Sequence, residues 1–407
     1  MFHRSVLVLS VLIAGLLLAL PVGAAKKYGP GVTDTEIKIG NINPYSGPAS
    51  AYGTIGRSIA AYFKMVNERG GINGRKINFI SEDDGYSPPK TVEKARKLVE
   101  SDKVLLIFQS LGTPTNTAIH KYMNGRKVPH LFVATGATKW NDPKKFPWTM
   151  GWQPNYQTEA KIYAKYIDKN LPNAKIGILY QNDDYGKDYL EGFKDGMKGV
   201  KGPKIVMEQS YEVADPTIDS QIVNLKNSGA DVFFNITTPK FAAQAIKKAA
   251  DIGWKPTHFL NNVSISIATV MKPAGFENGN GTISTTYGKD PDDPEWTNDP
   301  GMVAWREFMQ KYYPDGSLHN SSNVYGYAVA MTLEQVLKQS GDELTRENVM
   351  KQAANIKDLV LPTSLPGIKL NTSPTDFAPI EQMQLIRFDA ARGSWIRFGS
   401  VIGADGM

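Results

Sequence analysis

The sequence contains no cysteine. This excludes disulfide bonds, thiolate metal sites, cysteine nucleophiles and a lipid-accepting cysteine. The excess of 46 Lys and Arg over 40 Asp and Glu is spread along the chain, with no run of five like charges, so nucleic acid is not an expected partner. None of the 5 histidines forms a His-x-x-x-His pair, and neither a Walker loop nor a Gly-x-Ser-x-Gly elbow is present. We therefore expect no metal, no cofactor and no enzymatic activity.

The beginning of the chain has the layout of a secretion signal. His3 and Arg4 precede an almost continuously apolar run over residues 6–20, and small residues follow up to Ala25. The run is shorter than the roughly 20 apolar residues that a membrane-spanning helix needs. The sequence predicts a cleavable signal peptide over residues 1–25 and export of the remainder as a soluble protein.

The full chain has 407 residues. The part that follows the signal peptide is too long for one hydrophobic core, which predicts two domains. Short apolar segments alternate with amphipathic ones, as in residues 37–42 followed by 52–68, and the pattern restarts at residues 157–170. Strands that alternate with helices at this spacing indicate βαβ units and parallel sheets. The predicted fold class is α/β, with two doubly wound, Rossmann-like lobes.

Two later segments depart from that alternation. Residues 382–389 and 394–399 predict a β-hairpin around residues 390–393. The loop over residues 288–300 is rich in acidic groups, but it lacks the glycine and the terminal glutamate of an EF-hand calcium loop. We predict a solvated acidic loop rather than a calcium site; the acidic residues that could be considered as ligands are Asp290, Asp292, Asp293 and Glu295.

Ligands of doubly wound sheets bind where strands end and helices begin. One such junction contains Ser110-Leu111-Gly112-Thr113, followed by Pro114, which suits the start of a helix. The next contains Ala134-Thr135-Gly136. Free N–H groups at a helix start favour an anion, although helix capping alone also explains such residues. Together the two junctions predict a site for the carboxylate of a ligand.

Other junctions supply aromatic and polar side chains for the walls of a small-molecule cleft. Packing within the core is the alternative role for each of them. The candidate wall residues are Tyr52, Trp152, Tyr156, Tyr185, Thr238, Asn262 and Val263.

Several segments together resemble the leucine/isoleucine/valine-binding protein family of periplasmic receptors. The resemblance extends over nearly the whole chain after the signal peptide. It is carried by residues 40–48, 67–77, 82–84, 97–99, 184–186 and 228–232, among them Asn67-Glu68-Arg69-Gly70-Gly71-Ile72-Asn73-Gly74 and Asp184-Tyr185-Gly186.

The resemblance implies two lobes of the periplasmic binding protein type I fold, joined by three chain crossings near residues 149, 284 and 363. Lobe 1 then comprises residues 27–148 and 285–362, and lobe 2 comprises residues 149–284 and 363–407. It implies a monomeric periplasmic receptor that delivers a small molecule to the membrane permease subunits of an ABC importer. It also places the carboxylate-binding stretches of the family on residues 110–113 and 134–136.

One departure from the family pattern concerns the ligand. Amino-acid-binding members use an acidic residue of the second lobe to hold the ammonium group, and Val263 aligns with that position, while Thr238 replaces an aromatic contact. A buried ammonium without a counter-charge is costly. We therefore predict an aromatic carboxylate, such as a hydroxycinnamate or a benzoate. A branched-chain amino acid, or an amide such as urea, is the alternative ligand.

Two other functional classes stay open at the level of sequence. A ligand-sensing module of the same fold would pass its closure to a signalling partner. A secreted enzyme would use Asp83, Asp84 or Tyr185.

Overall fold

The computed structural model describes residues 26–403. The predicted signal peptide lies outside this range. Three sheets are formed, of two, five and seven strands. The strands are β1 (Lys27–Tyr28), β2 (Glu36–Asn43), β3 (Lys76–Asp83), β4 (Leu106–Phe108), β5 (His130–Val133), β6 (Thr149–Gly151), β7 (Lys175–Gln181), β8 (Lys204–Tyr211), β9 (Val232–Ile236), β10 (Thr257–Leu260), β11 (Ile283–Thr286), β12 (Glu343–Leu344), β13 (Gln382–Asp389) and β14 (Ser394–Gly403).

Helices alternate with these strands. Their first turns carry the expected start signals: the Asp183 carboxylate accepts the N–H of Tyr185, and Asn320 caps a 20-residue helix in the same way. The helices are α1 (Gly53–Glu68), α2 (Pro88–Arg96), α3 (Thr113–Gly125), α4 (Tyr156–Asn170), α5 (Asp184–Gly196), α6 (Asp219–Asn227), α7 (Pro239–Asp251), α8 (Lys272–Ala274), α9 (Phe276–Gly279), α10 (Pro300–Tyr312), α11 (Ser321–Ser340) and α12 (Arg346–Ala353).

The five-stranded sheet has the order β3-β2-β4-β5-β6, and all of its strands are parallel. Apolar side chains cover both of its faces: Ile59 of α1 and Leu333 of α11 belong to one cluster, and Leu98 and Ile119 belong to a cluster on the other face. Helices on both faces of a parallel sheet define a doubly wound layer. We call this layer the first lobe.

The seven-stranded sheet has the order β14-β13-β11-β10-β9-β7-β8. Strands β7 to β11 are parallel, and β13 and β14 add an antiparallel hairpin at the edge. Helices α4 and α5 cover one face and α6 and α7 the other. This second lobe confirms the predicted fold class, and the predicted hairpin forms around Gly393, whose φ of 63° suits the turn.

The chain passes between the two sheets three times. The third passage lies later in the chain than the predicted crossing near residue 363. The sheet membership of β6 and β11 places the first two passages after Gly151 and after Thr286. Residues 365–380 pack with the first lobe, since Leu365 and Ile380 belong to its apolar cluster, and the chain joins the second sheet only at Gln382. The apolar periodicity of this segment does not reveal which core it packs against. The other lobe boundaries stay a prediction.

The acidic loop is less solvated than expected, because three of its side chains have partners or are buried. The Asp290 side chain is partly buried, Asp293 lies near Arg397, and Asp292 pairs with His319. Within residues 26–403, no group of three or more His, Cys, Asp or Glu is arranged to hold a metal ion. In the same residues, we find no helix with both the length and the apolar character needed to cross a membrane.

Candidate functional site

A cavity lies between the two lobes. Its walls come from strand-to-helix junctions of both sheets and from the segments that connect the lobes. Eleven of the sequence-predicted residues line it, namely Tyr52, Leu111, Gly112, Thr113, Ala134, Trp152, Tyr156, Tyr185, Thr238, Asn262 and Val263. Ser110, Thr135 and Gly136 do not.

The start of α3 forms one end of the wall. Gly112 has a φ of 102°, and a Cβ there would overlap the Tyr86 ring, so glycine allows the chain to turn into the helix. Asn116 donates the first backbone hydrogen bond of the helix, to the Gly112 carbonyl at 3.2 Å. The N–H groups of Thr113 and Thr115 precede it and have no acceptor within the helix. This helix start can therefore receive an anionic group.

The junction after β5 lies close to the start of α3, but its Thr135 side chain makes hydrogen bonds within the protein. The Thr135 hydroxyl lies 2.7 Å from that of Thr113, and it also accepts hydrogen bonds from the Ala137 N–H and the Trp140 indole. Only a short 3-10 turn, Thr138–Asn141, follows, because Pro143 and Pro147 interrupt a longer helix. The prediction that a helix begins at the junction of residues 134–136 is therefore wrong.

The other two predicted residues that do not line the cavity, Gly136 and Ser110, lie behind its wall. Gly136 packs under Tyr156, where an added Cβ would lie 2.7 Å from the ring. The Ser110 side chain is fully buried, and its carbonyl accepts from Asn116 Nδ2 at 2.7 Å. Both residues support the wall rather than face a ligand.

Aromatic rings dominate the rest of the surface. Tyr156 lies edge-on to Tyr185, with 5.5 Å between ring centroids, and Trp152 lies edge-on to Tyr325 at 5.1 Å. Burial raises the pKa of Tyr156 to about 12 and raises that of Tyr185 well above its ordinary value. These phenols are therefore neutral at physiological pH. The cavity offers flat apolar faces with hydroxyl groups at their edges.

The second-lobe wall is held by a buried hydrogen-bond network. The Asn262 side chain donates to the Thr285 carbonyl at 2.6 Å, and its backbone N–H donates to Glu159 Oε1 at 2.6 Å. Thr238 Oγ1 lies 3.4 Å from Gln181 Oε1. Val263 places an apolar side chain in the cavity wall. No acidic group is present at the Val263 position.

The sequence prediction missed the wall nearest the crossings. Tyr287 and Asp290 come from the second crossing, Tyr325 from α11 and Thr363 from the neighbouring segment, while Tyr86 follows β3. The predicted crossing near residue 284 was the available signal, because residues that follow a crossing between lobes lie at the base of a cleft.

Several hydrogen bonds connect the two lobes across the cavity mouth. The Tyr52 hydroxyl donates to the Val263 carbonyl at 2.9 Å, and Asp184 accepts from Lys139 at 2.6 Å and from Thr117 at 3.2 Å. These contacts require the lobes to be close together. The structure therefore has the cleft closed.

Comparison with known proteins supplies the family. A family model described as periplasmic binding protein matches residues 36–393. The chain belongs to this family. Leu/Ile/Val-binding protein homolog 1 of Brucella suis biovar 1 is 26% identical over 332 residues, which is 80% of this chain and 85% of that protein. The predicted family resemblance is confirmed.

Solved structures of the family have the same fold. A fatty acid ABC transporter substrate-binding protein from Thermomonospora curvata is 25% identical, with a TM-score of 0.80 over 93% of this chain and 95% of that one. A branched chain amino acid ABC transporter protein from Thermus thermophilus, solved with bound valine, is 16% identical, with a TM-score of 0.82 over 91% and 97%. The chain is thus a periplasmic binding protein of the ABC-transporter type.

Proposed function

We propose that this protein is the receptor of an ABC importer and binds an aromatic carboxylate in the cavity between its lobes. The observation that carries the proposal is the wall itself: rings of Tyr52, Tyr156, Tyr185 and Trp152 surround the space beside the free N–H groups at the start of α3. A flat apolar ligand body packs on such rings. Its carboxylate would accept from the helix start.

The wall argues against an α-amino acid. The position that holds an acid in amino-acid-binding members is occupied by Val263, whose side chain cannot offset an ammonium group. Leaving that charge unpaired would cost several kcal/mol of binding free energy. The acidic group of the wall, Asp290, comes instead from the second crossing.

A long-chain carboxylate is a second candidate. Aliphatic side chains of Ile55, Leu111 and Ile265 also line the cavity, beside the aromatic rings. The Thermomonospora curvata structure, with a similar fold and 25% identity, is described as a fatty acid receptor. The same helix start would receive the carboxylate, and the aromatic rings would contact the chain.

Titration calorimetry with p-coumarate, benzoate, octanoate and leucine tests the proposal. We expect the aromatic acids to bind more tightly than the other two ligands. Tighter binding of octanoate would favour the second candidate, and tight binding of leucine without binding of aromatic acids would overturn both.

Closure and catalysis need separate measurements. Ligand should stabilise the closed form through its higher affinity for that form, so X-ray scattering should show a smaller radius of gyration when ligand is added. Recovery of chemically unchanged ligand after long incubation would separate a receptor from an enzyme. Capture of permease subunits, rather than of a signalling protein, by the ligand-bound receptor would distinguish import from sensing.

A further inference from the structure

Asp290 occupies a fixed place in the cavity wall. It follows residues 287–289, which run beside residues 363–365: the Lys289 N–H donates to the Thr363 carbonyl at 2.8 Å, and the Leu365 N–H donates to the Tyr287 carbonyl at 3.0 Å. The second crossing segment is thus braced by residues 363–365, which precede the third crossing. The Asp290 carboxyl group therefore lies directly after a segment whose backbone is hydrogen-bonded on both sides.

Asp290 has no positively charged partner in the described part of the chain. Its Oδ1 accepts one hydrogen bond, from the Asp292 N–H at 2.8 Å. The adjacent Lys289 ammonium instead bonds both carboxylate oxygens of Asp299 at 2.8 Å and the Pro362 carbonyl at 2.7 Å. The other charged groups near Asp290 are Asp292 and Asp293, which are also acidic.

This arrangement is energetically unfavourable for an empty cavity. Burial raises the pKa of Asp290 to about 7, and the negative charges of Asp292 and Asp293 act in the same direction. A carboxyl group that is partly removed from water without a counter-charge or sufficient donors destabilises a protein. A donor supplied by a ligand would offset that cost.

The surroundings of Asp290 suit such a donor. Hydroxyl groups of Ser321 and Thr363 and the rings of Tyr287 and Tyr325 line the same cavity as Asp290. The Thr363 hydroxyl is buried and has no hydrogen-bond partner among residues 26–403. Aromatic rings beside a carboxylate also favour a cationic group.

We propose that Asp290 accepts a hydrogen bond from a donor group, a hydroxyl or an ammonium, on the part of the ligand away from its carboxylate. This inference rests on the proposed function and narrows its substrate class to carboxylates that carry a second, hydrogen-bond-donating group. Asp290 would then determine ligand specificity, because it supplies an acidic group that is absent at Val263.

Two matched ligand pairs test the inference by calorimetry. p-Coumarate and cinnamate differ by one hydroxyl, and 4-(aminomethyl)benzoate and 4-methylbenzoate differ by an amino group that carries a proton at neutral pH. The wild type should prefer the donor-bearing member of at least one pair by about tenfold or more, the range for hydrogen bonds to charged groups. The pair that shows the preference identifies the donor.

The Asp290→Asn variant should remove that preference. The amide oxygen still accepts from the Asp292 N–H, so the hinge keeps its shape, and the thermal midpoint of the empty protein should be equal to or above that of the wild type. Affinity for the donor-bearing ligand should fall about tenfold, and affinity for its partner should change little. The control is Glu295→Gln, which removes a charge from the same loop at a side chain that is 59% exposed and bonded to Arg397.

The possible outcomes separate this inference from the proposed function. If the wild type binds no aromatic acid, the proposed function fails and this inference fails with it. If the aromatic acids bind without a preference for either donor, or if Asp290→Asn weakens both members of a pair equally, the proposed function stands and the inference is overturned. An effect of the same size in Glu295→Gln would also overturn it.

Discussion

The hydroxyl of Tyr52 donates a hydrogen bond across the cleft to the backbone carbonyl of Val263, at 2.9 Å. Tyr52 precedes α1 in the first lobe, and Val263 follows β10 in the second. The bond forms only when the lobes are closed. It links the closed conformation directly to Val263, the position at which the sequence predicts a departure from amino-acid-binding relatives.

The Tyr52→Phe substitution should therefore weaken ligand binding. The ring stays in the wall, but the closed form loses one hydrogen bond, which contributes about 0.5–1.5 kcal/mol. Calorimetry should show a loss of affinity of about threefold to tenfold. The control is Tyr122→Phe, which removes a hydroxyl that bonds Glu100 within the first lobe. An equal loss in both variants would contradict a role in closure.

A second contact across the cleft involves charge. Asp184 accepts from Lys139 and Thr117, and its hydrogen bond with the Lys139 ammonium holds the pKa of Asp184 below its usual range. Both charged side chains are about a third to a half exposed, so solvent screens the pair and its contribution stays below about 1 kcal/mol. The Asp184→Asn substitution should lower ligand affinity by a few-fold. The effect should shrink when salt is raised from about 0.05 M to about 0.5 M.

A matched control for this pair lies on the same helix. Asp195 pairs with Lys161 at 2.7 Å, with similar exposure, but both residues belong to the second lobe. Asp195→Asn should leave ligand affinity and its salt dependence unchanged. A response like that of Asp184→Asn would show that the effect comes from net charge rather than from closure.

The packing of Gly136 behind the cavity leads to a stability prediction. A methyl group there would lie 2.7 Å from the Tyr156 ring and would also meet the Pro154 carbonyl. Gly136→Ala should destabilise the protein by about 1–3 kcal/mol, as overpacking does, and should weaken ligand binding by shifting Tyr156. Urea unfolding and calorimetry measure the two effects. Gly125→Ala, where a Cβ meets nothing within 4 Å, should have neither effect.

The sequence predicts the fold and much of the wall for the same reason. Parallel sheets place every strand-to-helix junction at one edge, so the alternation of elements alone brings Gly112, Tyr185 and Thr238 to the cavity. It does not show which junction residues are used internally. Thr135 is directed to Trp140 and Thr113 by contacts that depend on the packed structure.

The hinge wall could not be predicted from local pattern. Asp290 belongs to a segment whose composition is typical of a solvated loop, and it reaches the cavity because residues 287–289 pair with residues 363–365, more than 70 positions along the chain. Tyr325 reaches it because α11 packs on α1 of the first lobe. Such long-range contacts leave no periodic signal in the sequence.

Buried Glu159 should make stability depend on pH. Burial raises its pKa from 4.5 to about 7, although the hydroxyls of Tyr163 and Tyr189 donate to it, each at 2.6 Å. Between these values the unfolded chain loses this proton while the folded chain keeps it, so the free energy of unfolding falls as pH rises, by about 3 kcal/mol in total. Urea unfolding at about pH 5 and about pH 8 should show a smaller difference in Glu159→Gln than in the wild type, since the amide does not titrate. The exposed Glu191→Gln should keep the wild-type difference. An unchanged difference in Glu159→Gln would mean that Glu159 titrates alike in the folded and unfolded chains, and the donors of Tyr163, Tyr189 and Asn262 would then offset the whole cost of its burial.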